Sequence, residues 1–258
     1  MFVTLSPEQN RVVQSVQADG YAVTSVSALL PDGECYAALR DVGLTFAGSQ
    51  RVRDCHDAFL VGARRQTLKQ FLVKYQDQQH FDGRHPLFQF GLAPAIHQTA
   101  CACLGRLLTY YSADLWCVLP DAEGKPREWS QSWHRDPEAE RLIKVFLFLE
   151  DVDTDSGPFE YIARSHAGGF AAACEPRRYA NQEYVEQSIP REAKRRFVAS
   201  AGTLVFADTS GLHRGGYTRT KRRLNCVWTY LPEDRPKFTL ESLPADITEI
   251  QRQALCLN

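Results

Sequence analysis

The sequence predicts one mostly β domain with flanking helices, because helical and strand-like patterns occupy different parts of the chain. The length of 258 residues suits one large domain with a full core. Helical apolar periodicity is concentrated in residues 1–110, which also contain one opening strand. Residues 111–231 contain short apolar runs of the kind that form strands. We therefore expect a single domain over 1–258, with a helix-rich flank followed by β-structure.

The flank begins with a helix that carries a complete N-terminal signature. The tetrapeptide SPEQ starts at Ser6 and combines an N-cap, a proline at the first helical position and a glutamine that can close a capping box. Gly20 ends this helix, and the β-rich stretch 21–27 predicts a strand. Asp32 can cap a second helix over about 32–42.

Two amphipathic helices are predicted further along the flank. Apolar residues recur with helical spacing over 68–75 and again over 96–108. Both helices are expected to pack against the outside of the β-structure. Residues 43–65 show no clear period.

The β-rich part contains three clear strands and one polar insertion. Strands are predicted over 142–148, 202–208 and 224–231. Residues 168–198 are polar, lack strand alternation and carry two prolines. This insertion is interpreted either as a lid over a functional site or as an ordinary surface excursion.

Charge and cysteine usage exclude several classes of protein. The net charge is −1 and the sequence pI is about 6.7, which argues against nucleic acid or anionic lipid as a partner. No apolar run is long enough to span a membrane, and the first residues lack the pattern of a signal peptide. The eight cysteines have irregular spacing and form no CxxC pair. Free thiols in a reducing compartment, and hence a cytoplasmic location, are expected.

A histidine and an aspartate two residues apart suggest a metal site. His134 and Asp136 precede a strand, and residues i and i+2 of an extended segment point to the same face. One imidazole and one carboxylate form two corners of a facial triad, which a second histidine completes. The same spacing occurs at His80 and Asp82, but the following GRHP predicts a turn rather than a strand. We therefore reject that second pair.

The third metal ligand and an anion-binding arginine are expected downstream. His213 follows the predicted strand GTLVFAD and a short turn. Arg222 and Arg223 begin the next strand, where a guanidinium could hold a dicarboxylate through two parallel hydrogen bonds. Because strand neighbours point to opposite faces, only one of the two can enter the interior.

The motifs together resemble a known family. WHRD, then an apolar strand, then DVDTDSGPFEYIARSH and GTLVFADTSGLHRGG are similar to the phytanoyl-CoA dioxygenase family of Fe(II)/2-oxoglutarate-dependent oxygenases. The resemblance is strong over residues 129–231 and weaker over 1–45. It implies a double-stranded β-helix, a jelly-roll or cupin-like barrel, with flanking helices.

The resemblance also implies cofactors and residue roles. His134, Asp136 and His213 are expected to hold Fe(II), with 2-oxoglutarate as co-substrate and O2 as oxidant. Arg223 is the first choice for the distal carboxylate of 2-oxoglutarate and Arg222 the second. Arg223 best matches the register of the family's strand, but its separation from His213 is about one residue shorter than the family's.

Two further cavity residues are assigned to co-substrate binding more loosely. Lys144 interrupts an apolar strand, so it either faces the cavity and meets an anion or snorkels to a barrel surface. Gln131 could donate a hydrogen bond to a bound carboxylate.

The expected reaction is hydroxylation of an unactivated C–H bond of a small molecule, with release of succinate and CO2. Related halogenases carry a small residue in place of Asp136, so its presence favours hydroxylation, desaturation or cyclisation. Two other functions stay open: a cupin-like metalloenzyme that does not use 2-oxoglutarate, and a non-catalytic ligand-binding barrel. The substrate and the oligomeric state cannot be inferred from the sequence.

Overall fold

The computed structural model describes residues 4–30, 33–76, 80–121, 126–166, 179–233, 236–243 and 246–257. Eight α-helices occur in these residues: α1 (Pro7–Asp19), α2 (Val26–Leu29), α3 (Glu34–Ala47), α4 (Gln50–Leu60), α5 (Pro86–Leu92), α6 (Pro94–Leu104), α7 (Gln182–Ser188) and α8 (Glu249–Ala254). Eleven strands occur in the same residues: β1 (Tyr21–Ser25), β2 (Leu72–Lys74), β3 (His80–Asp82), β4 (Thr109–Val118), β5 (Ile143–Phe148), β6 (Phe159–Ile162), β7 (Lys194–Arg196), β8 (Thr203–Asp208), β9 (His213–Gly215), β10 (Arg223–Leu231) and β11 (Thr239–Ser242).

The first helix forms as its sequence predicts. The Ser6 hydroxyl accepts a hydrogen bond from the Gln9 backbone amide at 3.2 Å, and the Gln9 side chain accepts one from the Ser6 amide at 2.8 Å. Gly20 ends the helix with φ +86°, a left-handed conformation that glycine adopts without a steric penalty. Val12 and Val16 are fully buried and fix the helix against the core.

The flank differs from the sequence-based expectation in two places. The prediction of a helix over 68–75 is wrong. Leu68 is exposed, and Leu72–Lys74 form strand β2, which is an edge strand and pairs with β4. Pairing with β4 decides the conformation of these residues, since helical spacing over one short stretch is a weak preference. Helix α4 forms in a stretch whose sequence shows no clear apolar period. The reason is that the helix buries only Val52 and Phe59, so few of its positions need to be apolar. The predicted helix cap Asp32 lies outside the described residues.

Two antiparallel sheets face each other. The larger sheet has the strand order β1-β8-β5-β10-β4-β2, and the smaller has the order β7-β6-β9. Phe146, Val205 and Val227 of the larger sheet pack with Phe159 and Tyr161 of the smaller. This is the sheet arrangement expected of a jelly roll with flanking helices, but the described strands do not close into one barrel.

Side-chain alternation on the larger sheet separates a core face from a cavity face. Along β10, Trp228 and Tyr230 point to the helices and donate hydrogen bonds to carbonyls of α5. Arg223 and Thr229 point the other way and line a cavity between the sheets. The same alternation along β5 places Lys144 on the cavity face, so an internal lysine on this strand is compatible with a packed core.

None of the described helices combines the length and apolar character needed to cross a membrane.

Candidate functional site

Backbone hydrogen bonds bring His134 and His213 together although they are distant in sequence. The His134 amide donates to the His213 carbonyl at 3.0 Å, and the His213 amide donates back to the His134 carbonyl at 3.0 Å. The Asp136 amide donates to the Thr209 carbonyl at 3.0 Å. The segment that contains His134 therefore runs antiparallel to the start of β9, and its alternation keeps Asp136 on the same face as His134.

The three predicted metal ligands form one cluster. One possible ligand atom from each of His134, Asp136 and His213 lies within 4.8 Å of the other two. The Asp136 carboxylate is 3.3 Å from Nε2 of His213 and 3.8 Å from Nε2 of His134. Among the described residues, no other group of three such side chains meets the same distance limit.

Hydrogen bonds orient both imidazole rings toward this cluster. Nδ1 of His134 lies 2.8 Å from the Ser132 carbonyl, and Nδ1 of His213 lies 2.9 Å from the Gly211 carbonyl. A carbonyl can only accept, so each Nδ1 carries the proton and donates it. The Nε2 lone pair of each ring then points to the carboxylate. This is the arrangement that metal-binding histidines adopt in proteins.

Electrostatics give the cluster the protonation states of a metal site. Burial, reinforced by the neighbouring His213, lowers the pKa of His134 to about 3, so this imidazole is neutral at physiological pH. Burial alone would raise the pKa of Asp136, but the neighbouring Lys144 ammonium outweighs it and holds that pKa well below its usual value. A neutral imidazole beside an anionic carboxylate, with a second imidazole, is a donor set that suits Fe(II).

Lys144 lies against the cluster. Its ammonium is 2.9 Å from Asp136 and 3.5 Å from Glu138, and its side chain is 11% exposed. Burial lowers the pKa of Lys144, but the two carboxylates outweigh that effect and raise it. The lysine thus faces the cavity and meets an anion, and the anion is Asp136. Its expected contact with the co-substrate stays a prediction.

The two candidate arginines lie in different environments. Arg222 is paired with Glu150 at 2.6 and 2.9 Å and also donates to the Ala47 carbonyl. Arg223 lines the cavity with 8% of its surface exposed. Its Nε contacts the Asn225 amide oxygen at 3.4 Å, whereas its Nη1 is buried without a hydrogen-bond partner in the described part of the chain. Burial lowers the pKa of Arg223 to about 10.

The cavity has a volume of about 200 Å³ and joins the cluster to Arg223. Gln131 lines it and is 5% exposed; its amide oxygen accepts from the Glu128 backbone, which leaves the amide nitrogen as a donor. Tyr179 also lines it and forms a backbone bridge to His134. Six further aromatic residues line the cavity: Phe71, Tyr111, Trp116, Phe146, Phe148 and Phe159.

Other predicted features lie away from the cavity. His80 and Asp82 belong to β3, which pairs with β11, and neither lines the cavity. The expected turn follows directly at Gly83 and Arg84, although His80 and Asp82 themselves belong to a short strand. The rejection of this pair as metal ligands stays a prediction. Residues 168–178 of the insertion lie outside the described residues, and its role as a lid stays a prediction.

A buried ion-pair network lies next to the two histidine segments of the cluster, and it was not predicted from the sequence. The Arg214 guanidinium donates to Glu160 at 2.8 and 3.0 Å and to Glu186 at 2.8 Å. It also lies over the Trp133 ring, 4.2 Å from the ring centroid. Arg214 and Trp133 adjoin His213 and His134, so this network joins both ligand segments to helix α7. The sequence does not indicate whether a charged residue next to a motif histidine, such as Arg214, is buried.

Removing Arg214 is expected to destabilise the protein strongly. Arg214→Ala should lower the free energy of unfolding by about 3–5 kcal/mol, because it leaves the buried Glu160 carboxylate with only the exposed Arg196 as an ion-pair partner. Arg196→Ala is the matched control, since Arg196 contacts the same carboxylate at 3.2 Å but is 53% exposed. That control should cost less than about 1 kcal/mol. Urea denaturation of both variants measures the difference, and equal effects would show that burial of the Arg214 pair does not matter.

Comparisons with known proteins show a matching family and a shared fold. The family model described as phytanoyl-CoA dioxygenase matches residues 16–224. No curated protein matches the chain.

Three solved structures illustrate the shared fold. EctD from S. alaskensis in its apoform has a TM-score of 0.60 and 17% identity, over 98% of this chain and 87% of that chain. The non-heme alpha-ketoglutarate-dependent epimerase SnoN from nogalamycin biosynthesis has a TM-score of 0.56 and 16% identity, over 94% and 92% of the two chains. The carbocyclase SnoK from the same biosynthesis has a TM-score of 0.55 and 18% identity, over 90% and 88%. At these identities the likeness establishes the fold alone.

Proposed function

Because the chain belongs to the phytanoyl-CoA dioxygenase family of Fe(II)/2-oxoglutarate-dependent oxygenases, we propose that it hydroxylates an unactivated C–H bond of a small molecule. The protein is an oxidoreductase that uses Fe(II), 2-oxoglutarate and O2, and the proposed reaction releases succinate and CO2. Structures with this fold include an epimerase and a carbocyclase, so the outcome at the C–H bond is the finer part of the proposal.

We assign Fe(II) to His134, Asp136 and His213. Their clustered donor atoms, the carbonyl-anchored Nδ1 groups and the anionic carboxylate support this assignment. Fe(II) bound by these two histidines and one carboxylate would supply the redox chemistry with 2-oxoglutarate and O2. The chain itself orients the rings through Ser132 and Gly211 and keeps the carboxylate anionic through Lys144.

The observation that carries the co-substrate assignment is the buried Arg223 guanidinium. A buried cation without an acidic partner is costly, and a dicarboxylate that enters the cavity would remove that cost. Arg223 shares the cavity with the histidines and Asp136, so one ligand can reach both. Arg222 is already paired with Glu150, so it is the weaker candidate for binding 2-oxoglutarate. Gln131 and Lys144 are proposed as supporting donors.

The aromatic wall is proposed to keep water from the reacting atoms. Phe146, Phe148 and Phe159 line the cavity beside Arg223 and the ligand cluster, and all three are at least nine-tenths buried. Exclusion of water protects reactive species from side reactions.

The seven described cysteines are free. Free thiols favour a reducing compartment, so a cytoplasmic location is part of this proposal.

The test uses purified protein loaded with Fe(II) under anaerobic conditions. Addition of 2-oxoglutarate should produce a weak visible charge-transfer band, and admission of air should yield succinate without any added substrate. The band tests binding, so it also detects an enzyme whose turnover waits for its substrate. Absence of both the band and succinate would contradict the proposal and favour a cupin-like metalloenzyme without 2-oxoglutarate or a non-catalytic barrel.

A further inference from the structure

Among the described residues, the charged side chains of the cavity leave one partly buried cation without an ion-pair partner. Lys144 contacts Asp136 and Glu138, and Lys74 contacts Asp114 at 3.5 Å. Arg223 is assigned above to 2-oxoglutarate. The remaining cavity cations are Lys69 and Lys237, of which Lys237 is exposed at the rim.

Lys69 lies inside the cavity, on the segment between α4 and β2. Its ammonium is 5.9 Å from the centroid of the Trp116 ring, at the outer limit of a cation–π contact, which is weak and does not replace an ion pair. Burial lowers the pKa of Lys69 to about 8, with Lys144 and Lys74 acting in the same direction and Asp136 and Asp114 against it. No carboxylate of the described residues lies within 4.0 Å of this ammonium. The protein thus keeps a partly desolvated cation facing the reaction space.

The charge balance of the cavity, counted with Fe(II) and 2-oxoglutarate bound, also indicates an unpaired cation. Away from the exposed rim, the lining residues supply four cations and three anions: Lys69, Lys74, Lys144 and Arg223 against Asp114, Asp136 and Glu138. The charges of Fe(II) and of dianionic 2-oxoglutarate cancel each other. One formal positive charge remains, and the Lys69 ammonium is the cation that neither the described carboxylates nor the co-substrate pairs.

We propose that Lys69 binds an anionic group, a carboxylate or a phosphate, on the molecule that this enzyme oxidises. The inference rests on the proposed function, because it places the substrate in the cavity that holds iron and 2-oxoglutarate. Trp116 and Phe71 flank the same space, so the part of the substrate next to the anion contacts an aromatic surface. The ammonium fixes that end of the substrate, and the rest of the molecule extends toward the iron.

Small probe anions test this subsite without knowledge of the substrate. Calorimetric titrations use the anaerobic Fe(II)/2-oxoglutarate complex, in which the co-substrate occupies Arg223. Benzoate is compared with benzamide, which has the same shape without the charge, and inorganic phosphate forms a third arm. The wild type should bind benzoate or phosphate at least about tenfold more tightly than benzamide, since a hydrogen bond between two charged groups contributes this much. Preference for benzoate identifies a carboxylate and preference for phosphate a phosphate ester.

Three variants separate Lys69 from the general charge of the cavity. Lys69→Met should remove the anion preference, and Lys69→Arg should keep most of it. Lys237→Met is the matched control, because it removes a rim lysine by the same substitution and should change the preference less than about twofold, as expected for an exposed, screened charge. An unchanged charge-transfer band in Lys69→Met shows that the metal site is intact.

The outcomes distinguish the two proposals. A wild-type band without any anion preference, or a preference that survives Lys69→Met, overturns the Lys69 subsite and leaves the oxygenase assignment standing. Absence of the band in the wild type contradicts the oxygenase assignment itself, whatever the anion titration shows.

Discussion

His134→Ala should lower Fe(II) affinity by more than about a hundredfold and abolish succinate formation. The loss of a group that only orients a metal ligand already costs about 10- to 100-fold, and this variant removes a ligand. The remaining pair, His213 and Asp136, offers two of the three donors. Anaerobic competition with a coloured chelator measures the affinity, and circular dichroism establishes that the variant is folded.

The sequence contains a natural control for that experiment. His80 and Asp82 repeat the spacing of His134 and Asp136, but His80 is exposed on strand β3 and does not line the cavity. His80→Ala should leave iron affinity and succinate formation unchanged. Wild-type iron binding in His134→Ala, or a loss in His80→Ala of similar size, would show that the metal site lies elsewhere.

Arg223→Ala should weaken 2-oxoglutarate binding by about a hundredfold or more while leaving Fe(II) affinity in the absence of co-substrate nearly unchanged. A guanidinium that holds a carboxylate through two charged hydrogen bonds contributes about 1.5–3 kcal/mol for each bond, and tenfold corresponds to about 1.4 kcal/mol. No contact links Arg223 to the three metal ligands in the described residues, so metal affinity is expected to persist. Titration of the charge-transfer band with 2-oxoglutarate measures the effect.

Arg222→Ala is the matched control, one residue earlier on the chain. Its guanidinium pairs with Glu150 at a site where both side chains are about one-third exposed. The variant should keep its affinity for 2-oxoglutarate and lose less than about 1 kcal/mol of unfolding free energy. The opposite result, weakened co-substrate binding in Arg222→Ala alone, would establish the second choice of the sequence analysis.

Features encoded within a few neighbouring residues were predictable from the sequence. The cap at Ser6, the end of α1 at Gly20 and the apolar strands β5, β8 and β10 follow from local propensity and short-range hydrogen bonding. The expectation that His134, Asp136 and His213 lie together also came from the sequence, through motif context. The two-residue spacing alone could not separate this site from the pair at His80. The turn predicted after Asp82 and the family-like sequence around His134 separated them.

Features that depend on a distant partner were decided by tertiary structure. Residues 72–74 became a strand because β4 offers an open edge, and that pairing outweighs their helical spacing. The environments of Arg222 and Arg223 differ because Glu150 and Ala47 pack on one face of β10 and the cavity lies on the other. The alternation rule predicted one inward arginine, but only the fold shows which of the two it is.

The sequence by itself determined the family, the candidate metal-ligand motifs and the strands that carry them, because each motif and each strand is encoded by a short stretch of neighbouring residues. Only the tertiary structure decided that Arg214 is buried between two carboxylates, that Lys144 meets Asp136, and that Lys69 faces the cavity unpaired among the described residues. The physical reason is that the free energy of a charge depends on its burial and on its neighbours in space. The sequence alone does not show whether a lysine or arginine is solvated, ion-paired or available to bind a ligand.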